Sequence, residues 1–570
     1  MPARRLILLI LIGLAIAPYF LNLNATSIID ANEAFYAETP REMIEAGDYI
    51  NPTFNYEPRF NKPPLSYWVV AGIYRVFGVS LGSARLPIAL GSLVILATVF
   101  LLGRAVASTE AGLVAVVTLA ATPRFLLFSR RIIIDIYTAA FLGLTLLFFV
   151  MAETDPPRRR RYLVAMYVAM SLGILTKGPV ALALPALVVA VYLMAAGRLR
   201  TVTRLMLPAG LLIGAVIVVP YYAALYAQHG WDDIVTFLVR ENLARYAEGV
   251  GAPDRGPFFY LPVVLADLYF PWSLILPAAL ALVPWTRVWT WRGWTGIWGE
   301  PAAAAASATR DDLRLLYGLW MAVIVVFFSL SKGQQDLYVL PFVATGAPLV
   351  GAALDGLFTG TLGPRVARAT YGSVALIAVV LAVLGALVAW FIGASGDPIH
   401  IAGARAAGVA LVVGSAAGFI AFIRCRVWSG AMTLVGTVIV GLWILVWVAL
   451  PDFERYKPVP HLARTIDKIA SAGAPVGTYH VATPSLVFYL RRHVYQMFDP
   501  VQVQTFFRVH PEAYCLMRDD DYAVVGPGMG IPTRVVVAAP YFEARLRHFL
   551  DRSPLPNLVI VTNRMPQPQR

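Results

Sequence analysis

The sequence predicts a polytopic α-helical membrane protein of about thirteen spans, followed by a C-terminal external α/β domain. Two observations predict the helical part. Hydrophobic residues make up 59% of the 570 positions and charged residues only 14%, against roughly 25% charged in a soluble domain. The apolar residues also fall in repeated runs of about 20, the length that crosses a bilayer as a helix. A third observation predicts the appended domain, because the hydropathy falls away after residue 450 and strand-like and helical patterns alternate.

The expected spans lie near 5–23, 84–104, 108–122, 133–153, 161–176, 178–197, 205–226, 258–284, 312–331, 337–357, 369–393, 403–423 and 428–450. The first run follows Arg4 and Arg5 and contains Pro18. It lacks a clear small-residue cleavage site and reads as an uncleaved span. The formal charge of +13 does not point to nucleic acid, since most Arg and Lys residues sit at span ends. There they act as topology signals. Placing the N-terminus in the cytoplasm puts Arg158 to Arg161, Arg198, Arg200, Arg204, Arg365, Arg368, Arg424 and Arg426 on the inside. An odd number of spans then puts the C-terminus outside. The chain thus divides into a transmembrane unit, 1–450, with its first external loop at 24–83, and an external domain, 451–570. In that domain Tyr522–Val525, Val535–Ala539 and Leu558–Val561 look like strands, and His461–Ala470 and Tyr541–Leu550 like helices. Cys425 and Cys515 fall on opposite sides of the membrane in this topology, which excludes a disulfide between them.

The first external loop is long, and long loops are more often functional than short ones. Asp30, Glu33, Glu38, Glu42 and Asp48 fall within it. Residues 33–46 read as a short helix on the membrane surface, with Glu38, Glu42 and Glu45 on its wet face. Asp30 and Glu33 stand where this helix begins, and Asn32 or Asp30 could cap it. Lys62 precedes Pro63 and Pro64, which suit the first turn of a helix over 64–77. That helix carries Leu65, Trp68, Val69, Ile73 and Phe77 as an apolar stripe and holds Lys62 at headgroup level. Asp135 follows Arg130 and Arg131 and enters an apolar helix, where an acid is a functional candidate. Facing Asp30 or Glu33, it would complete a pair of carboxylates, one to activate an acceptor and one to orient a donor or a metal. Basic residues also persist on the outer side at Arg124, Lys177, Arg240, Arg245, Arg255 and Lys332. Their convergence on one face would suit a phosphate-bearing ligand.

The stretch NEAFYAETPREMIEAGDYINPTFNYEPRFNKPPLSYW, together with RRIIIDIY at 130–137, LTKGP at 175–179, FLVRENLARY at 237–246 and SLSKGQQDLYVLP at 329–341, resembles the lipid-to-acceptor glycosyltransferases of the GT-C superfamily. The resemblance covers roughly residues 1–350. It is to the bacterial branch typified by aminoarabinose transferase and related to protein O-mannosyltransferases. It implies a GT-C fold in a bacterial inner membrane and a polyprenyl-phosphate-linked sugar as donor. It further implies inverting transfer on the outer face to a lipid or other envelope glycan acceptor. By position, Asp135 matches the second catalytic acid, and Glu33, Tyr36, Lys62, Lys177 and Tyr338 match cavity residues. Asn32 stands where the family has Asp, so Asp30 or Glu33 must take that part. Asn61 stands where the aminoarabinose transferase has an acid, which weakens any metal ligand there.

The expected catalytic residues are therefore Asp30, Glu33 and Asp135. The expected phosphate and substrate-binding set is Tyr36, Arg59, Lys62, Arg130, Arg131, Lys177, Arg245 and Tyr338. No organic cofactor is implied and a divalent metal stays open. The rival readings are a flippase for a lipid-linked sugar and an envelope scaffold. Transporters usually show internal repeats and mid-membrane sites; the sequence has no clear repeat, and its acids cluster at one face.

Overall fold

The computed structural model describes residues 2–28, 32–249, 251–289, 307–392, 400–542 and 555–565. Every expected span is helical. Nine helices among the described residues are long and apolar enough to cross a membrane. Two bent pairs, Thr109–Ala120 with Pro123–Ser129 and Tyr260–Leu268 with Trp272–Leu280, raise the number to eleven. The two remaining expected spans are Arg159–Lys177, which opens on three arginines, and Val180–Ala195, which has only 16 residues. Both sit in the helical packing although neither meets the length-and-hydropathy test. The chain is a multi-span membrane protein.

The elements that build the site come early. They are α1 (Pro2–Phe20), α2 (Asn32–Ala46), α3 (Leu65–Phe77), α4 (Leu81–Val106), α5 (Thr109–Ala120), α6 (Pro123–Ser129), α7 (Ile134–Thr154), α8 (Arg159–Lys177), α9 (Val180–Ala195) and α10 (Leu207–His229). Buried residues of α4, α5 and α7 form one continuous apolar core with the helices Arg310–Ser329 and Val343–Thr359. Large apolar side chains such as Leu211, Leu212, Val383 and Val413 point outward, as lipid-facing positions should. Small residues let later helices touch closely. Helices Pro364–Phe391 and Ala404–Ile423 meet at Gly385 and Gly408, where a Cβ on either would come within 2.6 Å of the other's carbonyl oxygen.

After Tyr456 the chain forms a five-stranded sheet. Its strands are β3 (Val476–Tyr479), β4 (Val494–Met497), β5 (Tyr514–Arg518), β6 (Arg534–Pro540) and β7 (Asn557–Thr562), in the order β4-β3-β5-β7-β6. Strand β3 runs parallel to β4 and β5, and β7 is antiparallel to β5 and β6. The expected strands at 535–539 and 558–561 are β6 and β7, and the expected helix at 461–470 is Val459–Ile469. Tyr522–Val525 is instead the end of a helix, Asp519–Val525. Three consecutive aspartates at its start favour a helix N-terminus over a strand. The expected helix at 541–550 falls almost wholly outside the described residues.

This sheet domain grips the first loop. Thr53–Phe54 (β1) and Glu57–Pro58 (β2) form a hairpin whose turn residues, Asn55 and Tyr56, both have positive φ, 58° and 62°. That is the twist a two-residue hairpin needs. The Asn55 amide donates to the Val494 carbonyl at 2.9 Å and accepts from the Val494 N–H at 2.8 Å. It thereby pairs with the first residue of edge strand β4 as a strand would. Phe54 enters the apolar core that holds Leu462, Leu486 and Val494. Upstream of α2, the Ser27 N–H donates to Glu454 at 2.9 Å and the Ile28 N–H to the Tyr489 hydroxyl at 3.0 Å.

This cover changes the environment of α2. Glu38 and Glu42, expected on a wet face, are 0% and 2% exposed. Glu38 pairs with the buried Arg41 at 2.6 Å, and Glu42 accepts from the Thr53 hydroxyl at 2.6 Å and the Tyr56 N–H at 3.1 Å. Burial raises the Glu38 carboxyl above its ordinary value, against the opposing pull of Arg41.

Candidate active site

A cavity of about 430 Å³ opens among α2, the Lys62 loop, the start of α7, the α8–α9 junction and the segments 241–246 and 327–338. Asp135 reaches it from the first turn of α7, where a helix N-terminus favours an anion. Lys177 reaches it from the last turn of α8, where a C-terminus favours a cation. Helix α8 stops there because Gly178 adopts φ +94° and Pro179 follows. A Cβ at Gly178 would sit 2.8 Å from the Phe237 ring, so only glycine fits. The Lys177 ammonium donates to Asp135 and lies 4.6 Å from the centre of the Tyr338 ring, a cation–π contact.

Lys62 enters the cavity from the loop before α3. Its ammonium stands 3.3 Å from Oε2 of Glu241, and the Arg245 guanidinium stands 3.1 Å from the same oxygen. Burial pulls the Lys62 ammonium down to about 8; Glu241 opposes this, and Arg245 and Lys177 add to it. Tyr36 lines the wall and stacks on Tyr67 at 5.8 Å between ring centres. Burial raises its phenol well above the ordinary value, so it serves as a neutral hydroxyl. The wall therefore carries three cations, Lys62, Lys177 and Arg245, against two carboxylates, Asp135 and Glu241, with apolar Val180, Ala183, Phe327 and Phe328. Beside it, sharing Pro179, runs an almost wholly apolar groove of about 500 Å³ walled by Val218, Tyr222, Trp231 and Leu238.

Of the residues expected from the sequence, Tyr36, Lys62, Asp135, Lys177, Arg245 and Tyr338 share this cavity. Four others do not reach its wall. Glu33 is 1% exposed and turned inward. It pairs with Arg85 at 3.3 Å and accepts the Ile132 N–H at 2.9 Å. Arg130 donates to the carbonyls of Pro18, Leu21 and Asn22, satisfying the orphan acceptors at the end of α1. Arg131 is half-buried, close enough to Glu33 for the two charges to interact. Arg59 stacks 3.8 Å from the centre of the Phe35 ring. Among the further outer-side basic residues, Arg124 is taken by Asp267 and Asp336, and Arg255 lies against Phe259. Asp30 lies outside the described residues, so the expected pairing of Asp135 with Asp30 has no counterpart among them; Asp135 faces Lys177 instead.

Two charged residues in and around the cavity escaped the sequence reading. Glu241 was visible four residues before Arg245 in FLVRENLARY, a spacing that pairs charges on a helix. Arg85 was visible as a guanidinium inside the apolar run of α4, where charge is costly. It is 1% exposed and donates to the carbonyls of Leu23, Thr26 and Ser27 at 2.6–3.1 Å. Through Glu33 it ties the α1–α2 connection to the segment that leads into Asp135. Among the described residues, no group of three or more His, Cys, Asp or Glu side chains is arranged to hold a metal ion.

Residues 61–223 match the family model described as dolichyl-phosphate-mannose-protein mannosyltransferase. They form a GT-C family domain. Curated relatives of this domain include an undecaprenyl phosphate-α-4-amino-4-deoxy-L-arabinose arabinosyl transferase of Sodalis glossinidius, 31% identical over 61% of this chain and 58% of its own length. The corresponding transferase of Edwardsiella ictaluri is 26% identical over 87% of this chain and 86% of its own. The matches to an uncharacterized protein of Aquifex aeolicus and a Pseudomonas fluorescens arabinosyl transferase span only 61% and 60% of those proteins. Crystal structures of ArnT from Cupriavidus metallidurans share the fold around the GT-C domain. The apo form superposes with a TM-score of 0.77 at 22% identity, and the form bound to undecaprenyl phosphate with 0.75 at 23%. Each alignment covers 98% of this chain and 99% of ArnT.

Proposed function

We propose that this protein is an inverting glycosyltransferase that moves a sugar from a polyprenyl-phosphate donor to a lipid A-like or other envelope acceptor. The observation that carries the reading is the cavity itself. Three cations and two carboxylates ring a space the size of a small headgroup, and an apolar groove of chain-like character lies beside it. The named relatives that transfer aminoarabinose from undecaprenyl phosphate support it. So does the charge pattern of the sequence, which places the N-terminus in the cytoplasm and the cavity and sheet domain on the outer side.

In this reading Lys62 and Arg245 hold the donor phosphate and the apolar groove takes its chain. The acceptor oxygen attacks the anomeric carbon from the face opposite the phosphate. The bond from that carbon to the phosphate oxygen breaks, and its electron pair leaves on the polyprenyl phosphate. Lys62, Arg245 and Lys177 offset that charge, the electrostatic effect that usually contributes most in such transfers. Asp135, which is ion-paired with Lys177, takes the proton of a hydroxyl acceptor. Glu33 acts at one remove, through the backbone that leads into Asp135. Each carboxylate on the wall is already ion-paired, and no step is assigned to a metal.

The test is transfer of labelled sugar from polyprenyl-phosphate donors to envelope lipid in proteoliposomes, comparing wild type with Asp135→Ala. Label should reach lipid only with wild type, and a fully active variant would sink the assignment. Donor crossing the bilayer without transfer would favour the flippase, which no observation supports so far.

A further inference from the structure

One oxygen of Glu241 serves two cations that arrive on different elements. Oε2 accepts from Lys62, on the loop before α3, at 3.3 Å and forms an ion pair with the Arg245 guanidinium at 3.1 Å. A phosphate oxygen taking that same bridging position would have to displace Oε2, since two anionic oxygens cannot share it. Glu241 also lies in a π-helical stretch, Thr236–Ala244, a conformation that is rare and frequently found at functional sites.

We propose that Glu241 is a built-in competitor for the donor phosphate, gripping Lys62 and Arg245 and giving them up when a phosphorylated prenol enters. This rests on the reading of Lys62 and Arg245 as the phosphate site. Its consequence is greatest at the end of the reaction. A sugar-linked phosphodiester carries one negative charge, whereas the polyprenyl phosphate left behind is a monoester that carries up to two. The product would hold the cations more tightly than the substrate. Return of the Glu241 carboxylate to Lys62 and Arg245 opposes that hold and speeds release.

The experiment is binding of geranylgeranyl monophosphate to the full-length protein in lipid nanodiscs, comparing wild type, Glu241→Gln, Glu241→Asp and Lys62→Met. The charged groups facing Lys62 are Glu241, Arg245 and Lys177, and Glu241 helps to keep it protonated. The measurement is therefore made at pH 6.5, well below 8, so that loss of that help discharges Lys62 as little as possible. Glu241→Gln should bind roughly five- to tenfold tighter than wild type. Glu241→Asp, one methylene too short to reach both cations, should show a smaller gain. A gain of affinity cannot come from misfolding. If Glu241→Gln folds poorly, Glu241→Asp decides. Lys62→Met should lose binding. Unchanged or weaker binding by both Glu241 variants, with Lys62→Met inactive in binding, overturns the competitor role and leaves the phosphate site standing. Wild-type affinity in Lys62→Met, or no binding by wild type, overturns both.

Discussion

Raising the pH should switch off donor capture by discharging Lys62. Its ammonium ionises at about 8 rather than at the ordinary 10.5, so keeping the proton there costs roughly 3 kcal/mol more than in water. The fraction charged is then about 90% at pH 7 and about 10% at pH 9. If only the charged form holds the phosphate, kcat/KM should be flat below pH 7 and fall about tenfold per pH unit well above 8. A bound phosphate close to Lys62 favours the ammonium, so the limb in kcat should lie at higher pH than the limb in kcat/KM. The assay is initial-rate transfer in proteoliposomes from pH 6 to 10, repeated with Lys62→Arg. Arginine stays charged throughout, so its profile should lack the limb even if its activity is lower. A limb that persists in Lys62→Arg, or a flat wild-type profile, would refute the argument. The sign for stability is the opposite. Between about pH 8 and 10.5 the unfolded chain binds more protons at this position than the folded one, so stability contributed by Lys62 rises with pH across that window.

Further outcomes are expected. Asp135→Asn should lower kcat by about 10²–10⁴-fold for a hydroxyl acceptor while donor binding survives, as read by prenyl phosphate affinity. Arg85→Met should destabilise the protein by about 3–5 kcal/mol, because Glu33 is left buried without its cation; thermal unfolding in detergent measures it, and an unchanged midpoint would refute the role given to the pair. Tyr338→Phe should keep most of the activity and Tyr338→Leu should lose about three- to fivefold, since only an aromatic face meets Lys177. Asn55→Ala should cost about 1–3 kcal/mol, leaving two backbone groups of Val494 unpaired, and should speed proteolysis of the first loop.

The spans were legible because a bilayer imposes one length and one polarity on each. Lys62, Asp135 and Lys177 were legible because a charge beside proline or inside an apolar run has few ordinary reasons to be there. What sequence could not show was which partner each charge would choose. Arg130 and Lys177 look alike on the page, yet one is spent on the carbonyls that end α1 and the other faces the cavity. Glu33 is claimed by Arg85, 52 positions away, and by a backbone N–H 99 positions away. Glu38 and Glu42 read as a wet face because the hairpin that bonds Glu42 is itself pinned by a strand more than 400 positions further along. Tyr522–Val525 read as a strand on its β-formers, and the three aspartates before it decided the local structure.

The pairing of Asn55 with Val494 spans 439 positions. At 5–20 residues per second, about 20–90 s of translation separate the two residues. Throughout that interval the hairpin at 53–58 stands without the strand that it pairs with, and the rest of the loop has only its contacts with earlier residues such as Arg85 and Glu241. The seat of the hairpin on β4 is therefore completed last, after every residue that lines the cavity has been made. A ribosome that stalls in the sheet domain would leave a complete set of spans whose first loop lacks its hairpin anchor, a product that inspection of the spans alone could not distinguish from the finished protein.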